Sequence, residues 1–181
     1  MKVVAFGDSI TAGYPFGNWA SWATILARDL NCEVINQGID GDYTEGMRNR
    51  FGYDVLRHQP SHVTIMGGSN DAAARLDPAY VSSNFIAMVN ICWENGIFPI
   101  LCTQLPILET NGENCLSQYR DWVRNYAAEH NIFLIDFFRP FMDRVESGRH
   151  GEIYCDLAHP STAGYALMGE IAVERFSTLL R

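Results

Sequence analysis

The sequence predicts an α/β fold, a three-layer α/β/α sandwich around a five-stranded parallel sheet. Three observations lead there. Five short, almost continuously apolar runs punctuate the chain, as parallel strands covered on both faces require. Longer segments with apolar residues at helical spacing alternate with them, which implies right-handed crossovers. Polar, glycine-containing clusters follow the ends of the first three runs, where an open α/β sheet binds its ligands.

The strands are expected at Lys2–Phe6, Glu33–Asn36, His62–Met66, Ile97–Cys102 and Ile132–Asp136, each short and most rich in β-branched residues. Between them, Val81, Phe85, Met88, Val89 and Cys92 form one apolar stripe, and Leu116, Tyr119, Val123 and Ala127 a second. Near the C-terminus Ala166, Gly169, Val173, Phe176 and Leu180 form a third. Gln104–Asn114 and Ser147–Asp156 carry the least pattern and read as loops. The 181 residues contain no linker or repeat, so residues 1–181 are taken as a single domain.

Composition narrows the function. A net charge of −8 without a Lys/Arg-rich block argues against nucleic acid and anionic membrane surfaces as partners. No apolar run is long enough to span a bilayer, so no integral membrane association is expected. The first strand is expected from Lys2, so no signal peptide is expected within these residues, a leader removed beforehand being the alternative. Five cysteines, an odd number without CxxC spacing, read as free thiols rather than a disulfide framework or zinc site. The cytoplasm is the expected location, and neither a metal nor an organic cofactor is implied.

Four polar clusters carry chemistry. Ser9, in Gly7-Asp8-Ser9-Ile10-Thr11, is the candidate nucleophile. A serine hydroxyl needs a base to take its proton, and His159 supplies an imidazole for that purpose. Asp156, three residues earlier, can accept the other ring N–H and fix the tautomer. An oxyanion formed on attack needs donors, which the backbone N–H groups of Ser9 and Gly38 and the side-chain amide of Asn70 can supply. Taken singly, most of these have plainer readings. Ser9 or Thr11 can cap a helix, Gly38 can be a turn glycine, and Asn70 and Asp71 can form a cap. Ser9-Ile10-Thr11-Ala12-Gly13 can also be read as a phosphate-holding loop, which leaves Asn70, Asp156 and His159 unexplained.

In order and placement the four clusters resemble the SGNH hydrolase (GDSL-type esterase/lipase) superfamily. The blocks are Gly7-Asp8-Ser9-Ile10-Thr11, Asn36-Gln37-Gly38-Ile39-Asp40-Gly41, Gly68-Ser69-Asn70-Asp71 and Asp156-Leu157-Ala158-His159-Pro160. The resemblance covers almost the whole chain and implies a flavodoxin-like sandwich. It also implies a Ser9–His159–Asp156 triad, an oxyanion hole from Ser9, Gly38 and Asn70, and no cofactor. Leu157 departs from the glycine frequent at that position, which bears on loop shape alone. The expected activity is hydrolysis of small or short-acyl carboxylic esters, with a small-molecule ester as the partner. Lysophospholipid or thioester hydrolysis is the nearest alternative. A flavin- or phosphate-binding module of flavodoxin-like fold is the alternative from another class. Tyr14, Phe16, Tyr43, Leu105 and Ile107 are the residues expected to line an acyl or alcohol pocket.

Overall fold

The computed structural model describes residues 1–179. In chain order it contains β1 (Lys2–Gly7), α1 (Ser9–Ala12), α2 (Trp22–Leu30), β2 (Glu33–Gly38), α3 (Thr44–Asp54), β3 (His62–Met66), α4 (Ser69–Ala73) and α5 (Pro78–Glu94). There follow β4 (Phe98–Cys102), α6 (Thr110–Glu129), β5 (Phe133–Ile135), α7 (Phe138–Glu146), α8 (His150–Ile153) and α9 (Thr162–Leu179). The five strands pair in parallel in the order β2-β1-β3-β4-β5, the flavodoxin-like arrangement.

Alternation along each strand sends side chains to opposite faces, and both faces are apolar. Val4, Phe6, Val63, Ile65 and Leu101 pack in one layer with Phe51, Phe85, Met88 and Leu116. Val3, Ala5, Ile100 and Cys102 pack in the other with Trp22, Leu26, Phe141, Tyr165 and Phe176. Burying one such side chain is worth about 1.5–3 kcal/mol, so the two layers together supply the drive for the sandwich.

The apolar stripes hold closely on α5 and α6, whose expected residues are all buried. On α9 the buried face is Tyr165, Met168, Gly169, Ala172 and Phe176, whereas Ala166 and Val173 lie half-buried beside it. The face is turned because α9 packs on α2, where Gly169 meets Ile25. Leu180 lies outside the described residues. Two expected loops are shorter than anticipated. Helix α6 starts at Thr110 because the Glu109 carboxylate accepts from the N–H groups of Asn111 (2.8 Å) and Gly112 (2.7 Å). Helix α8 forms a single turn inside Ser147–Asp156. Ser161 caps α9 by accepting from Gly164 N–H at 3.2 Å. Among the described residues, no helix is long and apolar enough to cross a membrane.

Candidate active site

Strand register gathers the site. Gly7 pairs with Gly38 on one side and Met66 on the other, so β1, β2 and β3 end at one level. The chain leaves each strand there. Ser9 is the first residue of α1, which Asp8 caps by accepting from Ile10 N–H at 3.0 Å. Asn70 lies in the first turn of α4, entered through Gly68. Residues far apart in sequence thus open onto the same sheet edge, at the switch point between β1 and β3.

Ser9 is 6% exposed, and its Oγ lies 3.1 Å from His159 Nε2. His159 Nδ1 lies 2.8 Å from Asp156 Oδ2. With Nδ1–H donated to the carboxylate, Nε2 of the neutral ring is the acceptor facing Ser9. Asp156 Oδ1 accepts from the backbone N–H groups of Ala158 (2.8 Å) and His159 (2.6 Å), so the turn itself aims the imidazole. Burial works to raise the Asp156 pKa. The N–H bonds and the bond to the His159 ring outweigh it and hold the carboxyl below its ordinary range. The Tyr14 ring stands over the imidazole at 4.6 Å between centroids, and its carbonyl accepts from Tyr165 Oη at 2.7 Å.

The expected donors do not all stand free. Ser9 N–H meets no acceptor among the described residues. Asn70 Nδ2 donates one N–H to Asp42 O at 2.8 Å, which leaves its second N–H available. Gly38 is a correction: its N–H donates to Asn36 Oδ1 at 2.9 Å, so that amide is already engaged. Position 38 requires glycine for packing, since a Cβ there would overlap the Ala12 backbone nitrogen. Gly41, in the same block, has φ +74° and open space around it, and its N–H meets no acceptor among the described residues. The motif contained this second glycine. The strand register, which commits Gly38 to β2, and the Asn36 side chain, which takes its N–H, separate the two.

Asp71 is a cap, although not of its own helix. Fully buried, it accepts from Thr44 N–H (3.0 Å) and Thr44 Oγ1 (2.6 Å) at the start of α3, and burial pushes its pKa up. The phosphate-loop reading of residues 9–13 has little support. Ile10 N–H is taken by Asp8, and the N–H groups of Ala12 and Gly13 are taken by Asp8 O and Ser9 O. The buried Asp8 carboxylate would also oppose an anion.

Of the expected pocket residues, Tyr14 and Tyr43 are exposed, and Phe16 is half-buried against Trp19. Leu105 is corrected: at 1% exposure it belongs to the packed layer with Phe137 and Phe141. Ile107 lines a cavity of about 300 Å³ with Leu108, Phe138 and Val145. A second cavity of about 470 Å³ runs beside Leu108, Asp156 and Leu157. Ser9 and His159 line neither. No group of three His, Cys, Asp or Glu among the described residues could hold a metal ion.

A flavodoxin-like sheet that presents a serine, an imidazole and a carboxylate in hydrogen-bonded file beyond β1 is the framework of an α/β/α hydrolase. The sequence comparisons identify which one. The GDSL-like Lipase/Acylhydrolase family model matches residues 5–167, and the chain belongs to that family. The uncharacterized lipoprotein YqeF of Bacillus subtilis is 38% identical over 65% of this chain and 54% of its own. The chain therefore spans only about half the length of that relative. An arylesterase of Vibrio mimicus is 27% identical over 76% of this chain and 70% of its own. A solved structure from Desulfitobacterium hafniense DCB-2, assigned to the lipolytic G-D-S-L family, superposes with a TM-score of 0.90 at 36% identity. That superposition covers 96% of this chain and 98% of the other.

Proposed function

We propose that residues 1–181 act as one catalytic unit that hydrolyses small, short-acyl carboxylic esters through an acyl-enzyme on Ser9. The observation that carries the reading is the unbroken file from Ser9 Oγ to His159 Nε2 (3.1 Å) and from Nδ1 to Asp156 Oδ2 (2.8 Å). As Oγ attacks the ester carbonyl, its proton passes to Nε2 and Asp156 stabilises the imidazolium. The oxyanion takes N–H bonds from Ser9, from the free hydrogen of Asn70 Nδ2, and from Gly41 in place of Gly38. Collapse expels the alkoxide, which leaves with the proton from Nε2. Water then attacks the acyl-enzyme with His159 again as base, releasing the acid and restoring Ser9.

Short acyl groups are favoured by the open surroundings. Neither of the two cavities near Leu108 is lined by Ser9, and Tyr14, whose ring lies against His159, is exposed, as is Tyr43. Each methylene that leaves water adds about 0.8 kcal/mol only while something covers it. A p-nitrophenyl ester series measured on the protein and on Ser9→Ala tests the reading. The expected kcat/KM peaks between acetyl and hexanoyl, with no activation at a lipid–water interface and loss in the variant. A peak at palmitate, or a preference for acyl thioesters or lysophospholipids, would replace the substrate assignment. The five free cysteines, with Cys155 exposed, support a reducing, cytoplasmic location. The lipoprotein name of the Bacillus relative points elsewhere, and cell fractionation decides between them.

A further inference from the structure

We propose that Arg50 of α3 is the positioning residue that holds the oxyanion-donor loops in register, an inference that rests on the catalytic reading above. Its side chain is 15% exposed and makes four hydrogen bonds with one guanidinium. Nε donates to Asp42 Oδ2 (2.7 Å), and Nη2 donates to Gly7 O (2.8 Å). Nη1 donates to Gln37 O (3.0 Å) and Asp54 Oδ2 (2.9 Å). The flat face of the group lies 4.2 Å from the Phe6 ring centroid.

Each acceptor except Asp54 sits one step from the site. Gly7 O ends β1 immediately before Asp8 and Ser9, and it also accepts from Ile39 N–H at 3.1 Å. Gln37 O is the last carbonyl before Gly38. Asp42 follows Gly41, and its own main-chain carbonyl receives Asn70 Nδ2. One planar fork therefore fixes the approach to the nucleophile, the end of β2, and the loop that carries Gly41 and orients Asn70. The bonds are charge-assisted and mostly shielded from water, conditions under which guanidinium geometry resists rotation. Lysine, with a single nitrogen, cannot reach the same acceptors in one plane. Arg50 does not touch Ser9 or His159, so its effect passes through the loops.

Displacing a catalytic group by about 1 Å lowers turnover by as much as ~10²-fold. Arg50→Lys is therefore expected to lower kcat by about 10- to 100-fold, with KM changed less than about threefold. Affinity for a boronic acid, which forms a tetrahedral adduct with the active serine, should fall in parallel with kcat/KM. The double variant with Asn70→Ala should lose less than the product of the two single losses, because both changes act on one donor set. Asp54→Asn removes only the partner farthest from the loops and should leave kcat within about twofold. If Arg50→Lys fails to fold, Asp42→Asn decides, since it releases the Nε bond while keeping the carbonyl that Asn70 uses. Unchanged kcat and boronate affinity in folded Arg50→Lys or Asp42→Asn, with Ser9→Ala inactive, would overturn the role of Arg50 and leave the triad standing. Full activity in Ser9→Ala would remove the catalytic reading and this inference with it.

Discussion

The two halves of the site are built in opposite ways. The half proposed to supply the nucleophile is buried: Ser9 follows β1 at 6% exposure, and Asp8 and Asp71 are almost wholly inaccessible, Asp71 tied to Thr44 across the chain. The half proposed for acid–base work is a surface turn, with the Asp156 side chain 46% and the His159 side chain 25% exposed. Its shape comes from bonds between residues two or three apart, Asp156 to Ala158 and His159. Two carboxylates record the contrast. Burial pushes Asp8 up to about 6 despite its bond from Ile10, whereas hydrogen bonds hold Asp156 below the ordinary range. The buried half couples chemistry to stability, and the exposed half should be separable from it.

The sharpest break of that comparison is the His159→Ala variant. It should lose several orders of magnitude in kcat, as triad members do elsewhere, while its thermal midpoint moves little. A large fall in the midpoint would show that the turn supports the fold after all. Asn70→Ala comes next, with a loss of about 10²–10³-fold in kcat and a smaller change in KM. If Asn70 only ties α4 to Asp42, kinetics on folded protein will be near normal and the melt will fall instead.

The third prediction concerns Asp8 and pH. Its folded pKa of about 6 lies above the ordinary 3.8. The stabilisation tied to its proton is full below about pH 3.8, declines through the window up to about 6 and is gone above it. The buried carboxylate then costs on the order of 3 kcal/mol. Asp8→Asn keeps an acceptor for Ile10, so it should gain up to about that much at pH 8 relative to the parent and nothing at pH 3.5. Urea titrations at the two pH values measure it, and equal effects at both would contradict the assignment. Asp156 has the opposite sign: its contribution is present above the ordinary carboxylate range and fades as pH falls below it. The smallest expected effect is at Tyr43, where an exposed ring should alter ester preference by a fewfold and leave stability within about 0.5 kcal/mol.

The same contrast explains what the sequence revealed. Five strands and the α5 stripe from Val81 to Cys92 were legible because burial on both faces of a sheet writes itself as apolar runs and helical spacing. The Asp156–His159 pairing was legible because it is local. Gly41 was not separable from Gly38, since which amide remains free depends on register and on the Asn36 side chain. Arg50 left no mark at all. An arginine on a polar helix reads as solvated, and only the folded chain brings Gly7, Gln37 and Asp42 around it. Leu105 failed for a related reason, because an apolar residue after a strand can face either a pocket or the core.

The central claim is that one serine, at the end of β1, carries the acyl group. Labelling the protein with a fluorophosphonate and mapping the modified peptide tests it most directly. The expected result is a single adduct on Ser9, absent from Ser9→Ala and strongly slowed in His159→Ala. An adduct on a different serine, or undiminished ester turnover in protein fully labelled elsewhere, would contradict it.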